Sequence, residues 1–188
     1  MNSEVTNLTN HFLIAMPGLM DINFSQSVTY ICEHNENGTL GITINRPADV
    51  KLSEIFNQLN ITSDNEKINN QNIYLGGPVQ MDRGFLLHTP SGHWSSSLKV
   101  TDSISVTTSS DILMAIAHNE GPKDVIIALG YAGWAEGQLE AEIAENAWLN
   151  CPANEEILFH TSADQMWEKA AKLMGVDLSL LSNDAGHA

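Results

Sequence analysis

The sequence predicts an α+β fold, and three observations lead there. Apolar, β-branched runs at 12–16, 28–32, 39–45, 73–75, 84–88 and 124–129 outnumber the segments with helical spacing. Strands and helices do not alternate strictly, as a doubly wound parallel sheet requires, and no internal repeat or linker divides the chain. At 188 residues, 43% of them hydrophobic, residues 1–188 suit one domain with a proper core.

In chain order, residues 1–10 are polar and expected to fray, and Phe12-Leu-Ile-Ala-Met16 reads as a buried strand closed by Pro17-Gly18. Val28 to Cys32 and Thr39 to Asn45 read as a hairpin, because Asn37-Gly38 between them supplies the positive φ of a tight turn. Arg46-Pro47 ends the second strand, since proline cannot donate to a ladder. Leu52, Ile55, Phe56 and Leu59 recur at helical spacing, and the polar stretch 62–72 is expected to be a mobile surface loop. Ile73-Tyr-Leu75 is a strand that runs into the turn Gly76-Gly77-Pro78-Val79, and Gly84 to His88 is another.

Leu98 to Thr107 alternates loosely, with Val100, Ile104 and Val106 as inward candidates. Ser109 or Ser110 caps a helix through Ile112, Leu113, Ile116 and Ala117 that stops by Gly121-Pro122. After the apolar run 124–129 comes Gly130-Tyr-Ala-Gly-Trp134, then a helix in which Leu139 and Ile143 share a face; Trp148 falls opposite, so that helix ends near Asn146. Trp148 to Cys151 is read as extended, and Glu156-Ile-Leu-Phe159 as the last strand. A capping box at Ser162–Gln165 then opens a helix that buries Met166, Trp167, Ala170, Leu173 and Met174 and ends at Gly175.

Composition excludes several functions. A formal charge of −15, from 23 acids against eight Lys and Arg, repels polyanions, and gripping 6–10 phosphates would need nearly every base on one face. Direct nucleic-acid binding is disfavoured. No apolar run approaches the roughly 20 residues that span a bilayer, and no secretory signal pattern opens the chain. Cys32 and Cys151 lack basic neighbours and read as buried, free thiols, so the chain is expected in the cytoplasm.

The strand–turn–helix through Gly130, Gly133 and Gly137 looks at first like a phosphate site. Its spacing matches neither a dinucleotide fingerprint nor a P-loop, and Glu136, Glu140, Glu142 and Glu145 surround it. The glycines are read instead as a structural corner around Trp134, at which Gly133→Val should lower stability, and the glutamates as a solvated acidic face. Cys32 and His34 share a strand face but lie too far apart for a thiolate pair, while His88 and His93 lack a third metal ligand.

Phe12 to Pro17, His34-Asn-Glu-Asn-Gly38 with Gly41 to Pro47, Leu75-Gly-Gly-Pro-Val79, Leu87-His88, Gly130 to Trp134, Gly137-Gln-Leu-Glu140, Asn146-Ala-Trp148 and Gly186-His-Ala188 together resemble the YqgE/AlgH family of bacterial proteins. The resemblance implies an α+β fold whose branched, mostly antiparallel sheet curls into a pseudo-barrel with helices packed outside. It supplies no catalytic residue, metal set or cofactor to carry over, and one branch of the family is labelled a transcriptional regulator. The expectation is a non-enzymatic regulatory or binding protein with a protein or small-molecule partner. Its ligand site is placed at the glycine-rich turns, at His34, Gly76, Gly77, Gly133, Trp134 and Glu140. The rival is a hydrolase or metal-dependent enzyme assembled from His34, His88, Glu136 and Glu140.

Overall fold

A computed structural model describes residues 7–184. β1 (His11–Ala15), β2 (Val28–Asn35) and β3 (Gly38–Thr43) form an antiparallel meander, with Asn35 opposite Gly38 across the turn and Gly38 at φ +130°. β4 (Pro47–Lys51) runs straight into α1 (Leu52–Gln58), and after α2 (Glu66–Asn69) the chain returns as β5 (Asn72–Leu75) beside β4. β6 (Val79–Thr89), the short hairpin β7 (Ser97–Lys99) and β8 (Ser105–Thr107), and α3 (Ser110–Ala117) follow. Then come β9 (Asp124–Trp134), α4 (Gln138–Ala144), β10 (Trp148–Pro152), α5 (Glu155–His160), α6 (Ala163–Lys172) and α7 (Leu178–Asp184).

The strands join in one sheet of order β10-β1-β2-β3-β9-β6-β8-β7, from which β5 and β4 branch at β9. It is an α+β fold whose mostly antiparallel sheet curls into a half-barrel, with helices packed on it. Ala128 of β9 pairs with Tyr74 of β5 on one edge and with Phe85 of β6 on the other. Four residues later β3 replaces β5, with Gly41 opposite Ala132 and Thr39 opposite Trp134. One edge of β9 therefore serves two strands in succession.

The changeover needs backbones closer than side chains allow. Gly76 donates its N–H to Leu129 O and accepts from Thr43 N–H, both at 2.8 Å, bridging β9 and β3. A Cβ on Gly76 would lie 2.3 Å from Gly130 O, one on Gly77 2.1 Å from the Tyr131 carbonyl carbon, and one on Gly130 2.4 Å from Gly77 O. Gly130 also sits at φ +77°, a conformation that glycine alone adopts freely.

Gly130 reverses the side-chain parity of β9. Before it, Ile126 and Ala128 point into the main core with Phe12, Tyr30, Ile42 and Leu87, while Ile127 points to a second core under α1 and α3. After it, Tyr131 packs on the main core, and Ala132 and Trp134 enter a third core with Leu13, Ile31, Leu139 and Trp148. An extra residue in a strand has this effect, because pleat alternation has a period of two.

Several sequence expectations need correction. Glu156-Ile-Leu-Phe159 is not a strand but lies in α5, because the Asn154 side chain accepts from Ile157 N–H at 3.1 Å and caps a helix. A four-residue apolar run does not by itself distinguish the two. The 62–72 stretch contains α2, opened by Asn65, whose side chain accepts from Lys67 and Ile68 N–H. The loose alternation of Leu98 to Thr107 is two strands parted by a turn, in which Thr101 Oγ1 accepts from the Ser103 and Ile104 amides.

The chain after Pro47 is extended as β4, with Ala48 and Val50 packed on the second core. Ser162 makes no side-chain cap, α6 ends at Lys172, and Leu173 and Met174 are exposed. Of the residues expected to fray, 1–6 lie outside the described residues. Among the others, Leu8 is buried and Asn10 N–H donates to Ile31 O at 2.9 Å.

The corner glycine singled out in the sequence is also not the constrained one. Gly133 is exposed, and a Cβ there would meet just the Tyr131 ring at 3.4 Å, an ordinary contact. Gly130→Ala should therefore cost about 2–3 kcal/mol or more, from left-handed strain plus the clash, while Gly133→Ala stays within about 0.5 kcal/mol of wild type. Urea unfolding of the two variants measures both. A costlier Gly133→Ala would place the constraint elsewhere.

Candidate functional site

The glycine-rich junction brings some of the expected site residues together. β2 carries a bulge between Ile31 and Glu33, where Ile31 pairs with Gly41 and Glu33 with Leu40, leaving Cys32 as the extra residue. Cys32 stays in the main core, but two positions on, His34 points instead toward Leu8 and α4 beside the third core. The expectation that Cys32 and His34 share a face fails for this reason. Burial pushes the Cys32 thiol up, out of the range of a reactive thiolate, with Glu33 adding to the effect.

His34 is fixed at both ring nitrogens. Leu8 N–H donates to Nδ1 at 2.9 Å, so the ring proton resides on Nε2, which donates to Glu140 Oε1 at 2.6 Å. The His34 side chain is 1% exposed and that of Glu140 42%. Burial raises the Glu140 carboxyl, but hydrogen bonds from its own backbone amide and from His34 outweigh it and hold the group below the usual carboxylate range. One residue pair thereby joins the start of the described chain, the β2–β3 hairpin and α4.

Trp134 is held in a similar way. Its Nε1–H donates to Glu142 Oε2 at 2.6 Å, and its ring lies 6.1 Å from Trp148 and 6.1 Å from Phe24 between centroids. The Trp148 pair is edge-on, with 80° between the planes, and such a pair contributes about 0.5–1.5 kcal/mol beyond its burial. Glu140 and Glu142 are therefore not part of a solvated acidic face. Each anchors α4 to the sheet, while Glu136 and Glu145 remain exposed. Helical spacing marked these acids, but only the paired strands reveal what they reach.

The other candidates stand apart. His88 pairs with Val125 on β9, whereas Thr39, the partner of His34, pairs with Trp134. Those β9 positions differ by nine residues, roughly 30 Å of extended strand. His88 is buried, its Nδ1–H donating to Pro90 O at 2.9 Å and its Nε2 accepting from Thr107 Oγ1 at 2.7 Å; desolvation lowers its pKa. His93 is exposed. The four residues of the enzyme reading do not converge, and among the described residues no three His, Cys, Asp or Glu side chains gather as a metal set.

Gly76 and Gly77 are occupied by the backbone junction. Gly133 and Trp134 instead border an open depression of about 410 Å³ with Glu33, Asn37, Leu40 and Tyr131. A second space, which no sequence pattern marked, lies between α1 and α3. It measures about 430 Å³ over a floor of Leu86, Ile127 and Leu129. Its components come from four separate segments, so sequence spacing carries no sign of it.

The Glu140 geometry has a pH signature. A carboxyl whose folded-state pKa is depressed adds stability above its unfolded value, near 4.3, and loses it as pH falls through the folded value. Glu140→Gln should cost about 1 kcal/mol at pH 7, allowing for the exposure of the carboxylate, and the deficit should shrink toward pH 3. Urea unfolding at the two pH values checks this. Equal deficits would mean that the charge on Glu140 does not serve the contact.

Comparison with known proteins agrees with this architecture. The family model described as AlgH-like matches residues 12–179. A UPF0301 protein of Thioalkalivibrio sulfidiphilus is 60% identical over 183 residues, covering 97% of this chain and 98% of the relative. Another, of Nitrosococcus oceani, is 51% identical over 179 residues, covering 95% and 96%. The solution structure of the AlgH protein from Pseudomonas aeruginosa superposes with a TM-score of 0.80 at 48% identity, covering both chains fully. A Corynebacterium diphtheriae protein shares the fold, with a TM-score of 0.72 at 21% identity over 93% and 91% of the two chains. By sequence and by structure, the chain belongs to the AlgH-like family.

Proposed function

We propose that this chain is a non-enzymatic binding protein of the bacterial cytoplasm, regulatory through a protein or small-molecule partner and without direct contact to nucleic acid. One observation carries the reading. The groups best suited to chemistry are spent on internal contacts: His34 between the Leu8 amide and Glu140, Glu142 on Trp134, and His88 between Pro90 and Thr107. A general base must reach the proton that it abstracts, and His34 has neither a free ring nitrogen nor an exposed edge.

The charge of −15 supports the second half of the proposal, since a transcriptional role in this family need not pass through DNA contact by this chain. The absence, among the described residues, of any helix long and apolar enough to cross a membrane is compatible with the placement. Of His34, Gly76, Gly77, Gly133, Trp134 and Glu140, we propose that Gly133 and Trp134 contact the ligand, with His34, Gly76, Gly77 and Glu140 shaping the corner behind them. The accessible part of the corner is the depression beside Gly133 and Trp134.

Two measurements test this reading. In a low-salt mobility assay the protein should leave duplex DNA unshifted; a shift that weakens steeply with added salt would overturn the indirect role. In a thermal-shift screen of metabolites combined with affinity capture, at least one saturable ligand or partner should emerge, and Gly133→Arg should weaken it if the depression is used. Empty results from both screens would count against a binding role.

A further inference from the structure

In the cleft between α1 and α3, large apolar side chains remain open to solvent around a concave space. Leu59, 47% exposed, follows the end of α1, and Met81, 53% exposed, lies on β6; both line the cleft. Ile55 and Leu113 supply its walls, and Leu86, Ile127 and Leu129 its floor. At about 430 Å³ the space falls within the range of sites that bury a ligand, roughly 300–1,000 Å³. Exposed methionine at the mouth of an apolar groove adapts to varied side chains, because it is unbranched and polarizable.

The rim is acidic. Glu54 and Asp82 border the cleft, on a chain whose formal charge is −15. The one base there, Arg83, is exposed but engaged: its guanidinium donates to Gln80 Oε1 and Thr108 Oγ1 and lies 5.7 Å from the Phe85 ring centre, so the two carboxylates outnumber it at the rim. An acidic entrance over an apolar floor selects positive charge next to apolar surface. Two helices flanking a groove offer the setting in which an amphipathic helix docks through residues spaced three and four apart.

We propose that this cleft receives a basic amphipathic helical segment of a partner protein, its leucine-like side chains entering between Leu59, Met81 and Leu113 and its lysines or arginines facing Glu54 and Asp82. The proposal rests on the reading of the chain as a binding protein, but not on the depression at Gly133. Attraction between the acidic rim and the basic segment speeds encounter, and the apolar floor retains what arrives.

The test is a fluorescence titration of the full chain with three labelled helical peptides of equal length: one of leucine and lysine at amphipathic spacing, one with glutamine for leucine, and one with glutamate for lysine. The leucine–lysine peptide should bind saturably at one site, and both controls more weakly by about tenfold or more. Leu59→Lys and Met81→Lys change exposed side chains and should leave thermal stability near wild type while weakening that binding by about tenfold. Equal binding of the glutamine control would show attraction to surface charge alone and overturn the proposal, as would equal binding of the glutamate peptide or indifference to both substitutions. Concentration-dependent self-association that either substitution abolishes would assign the cleft to a second copy and overturn it too. Partner capture that survives Met81→Lys would defeat the cleft while leaving the binding reading intact.

Discussion

The close approach of Gly76 and Gly77 to Gly130 and Tyr131 is the constraint on which the rest of the architecture depends. Where β5 gives way to β3 along one edge of β9, two chain segments must enter the space that a single strand normally fills. Without side chains at these positions, the carbonyls of Gly77 and Gly130 can lie where Cβ atoms would otherwise stand. The left-handed turn at Gly130 then reverses which face of β9 each residue serves. A single strand can thereby supply three cores.

Legibility in the sequence followed the range of the interaction. The Asn37-Gly38 turn and the helix from Leu139 to Ile143 depend on neighbours a few residues away, and turn chemistry and periodicity show them; the strand at Trp148 pairs with distant β1 and is legible only because the helical spacing breaks before it. The bulge at Cys32 depends on how β2 pairs with β3, and it moved His34 to a face that simple alternation denied it. For α5 the cap at Asn154 was present in the sequence, but the apolar run beside it suited a strand equally well. His34 and Glu140, by contrast, were both marked as candidates, and they meet across a sequence separation of 106 residues. Spacing alone holds no reason to pair them.

What the junction does with its polar groups shapes any account of function. Histidine beside glutamate is a familiar pairing in hydrolytic sites, yet here the imidazole accepts a backbone amide on its other side and is shut away from solvent. The same chemical feature that could activate a nucleophile instead fastens the first described residues to α4. A buried polar link of this kind favours one arrangement over its competitors, because breaking it leaves a desolvated donor without a partner. Among the surfaces left free are a depression at the corner and an apolar cleft with an acidic rim.

The central place of β9 also sets an order of events during synthesis. Residues 124–134 emerge only after β3, β5 and β6 have been made, and until then each of those strands carries an edge with unpaired amides and carbonyls. Open edges are templates for pairing with other chains, so the nascent polypeptide passes through its most adhesive stage just before the strand that closes it appears. Of the formal charge of −15, residues 1–123 carry −6, from 12 acids against six Lys and Arg, so part of the acidic excess is already present in that interval as mutual repulsion between neighbouring nascent copies. Charge in this protein therefore guards the unfinished sheet as well as the finished surface.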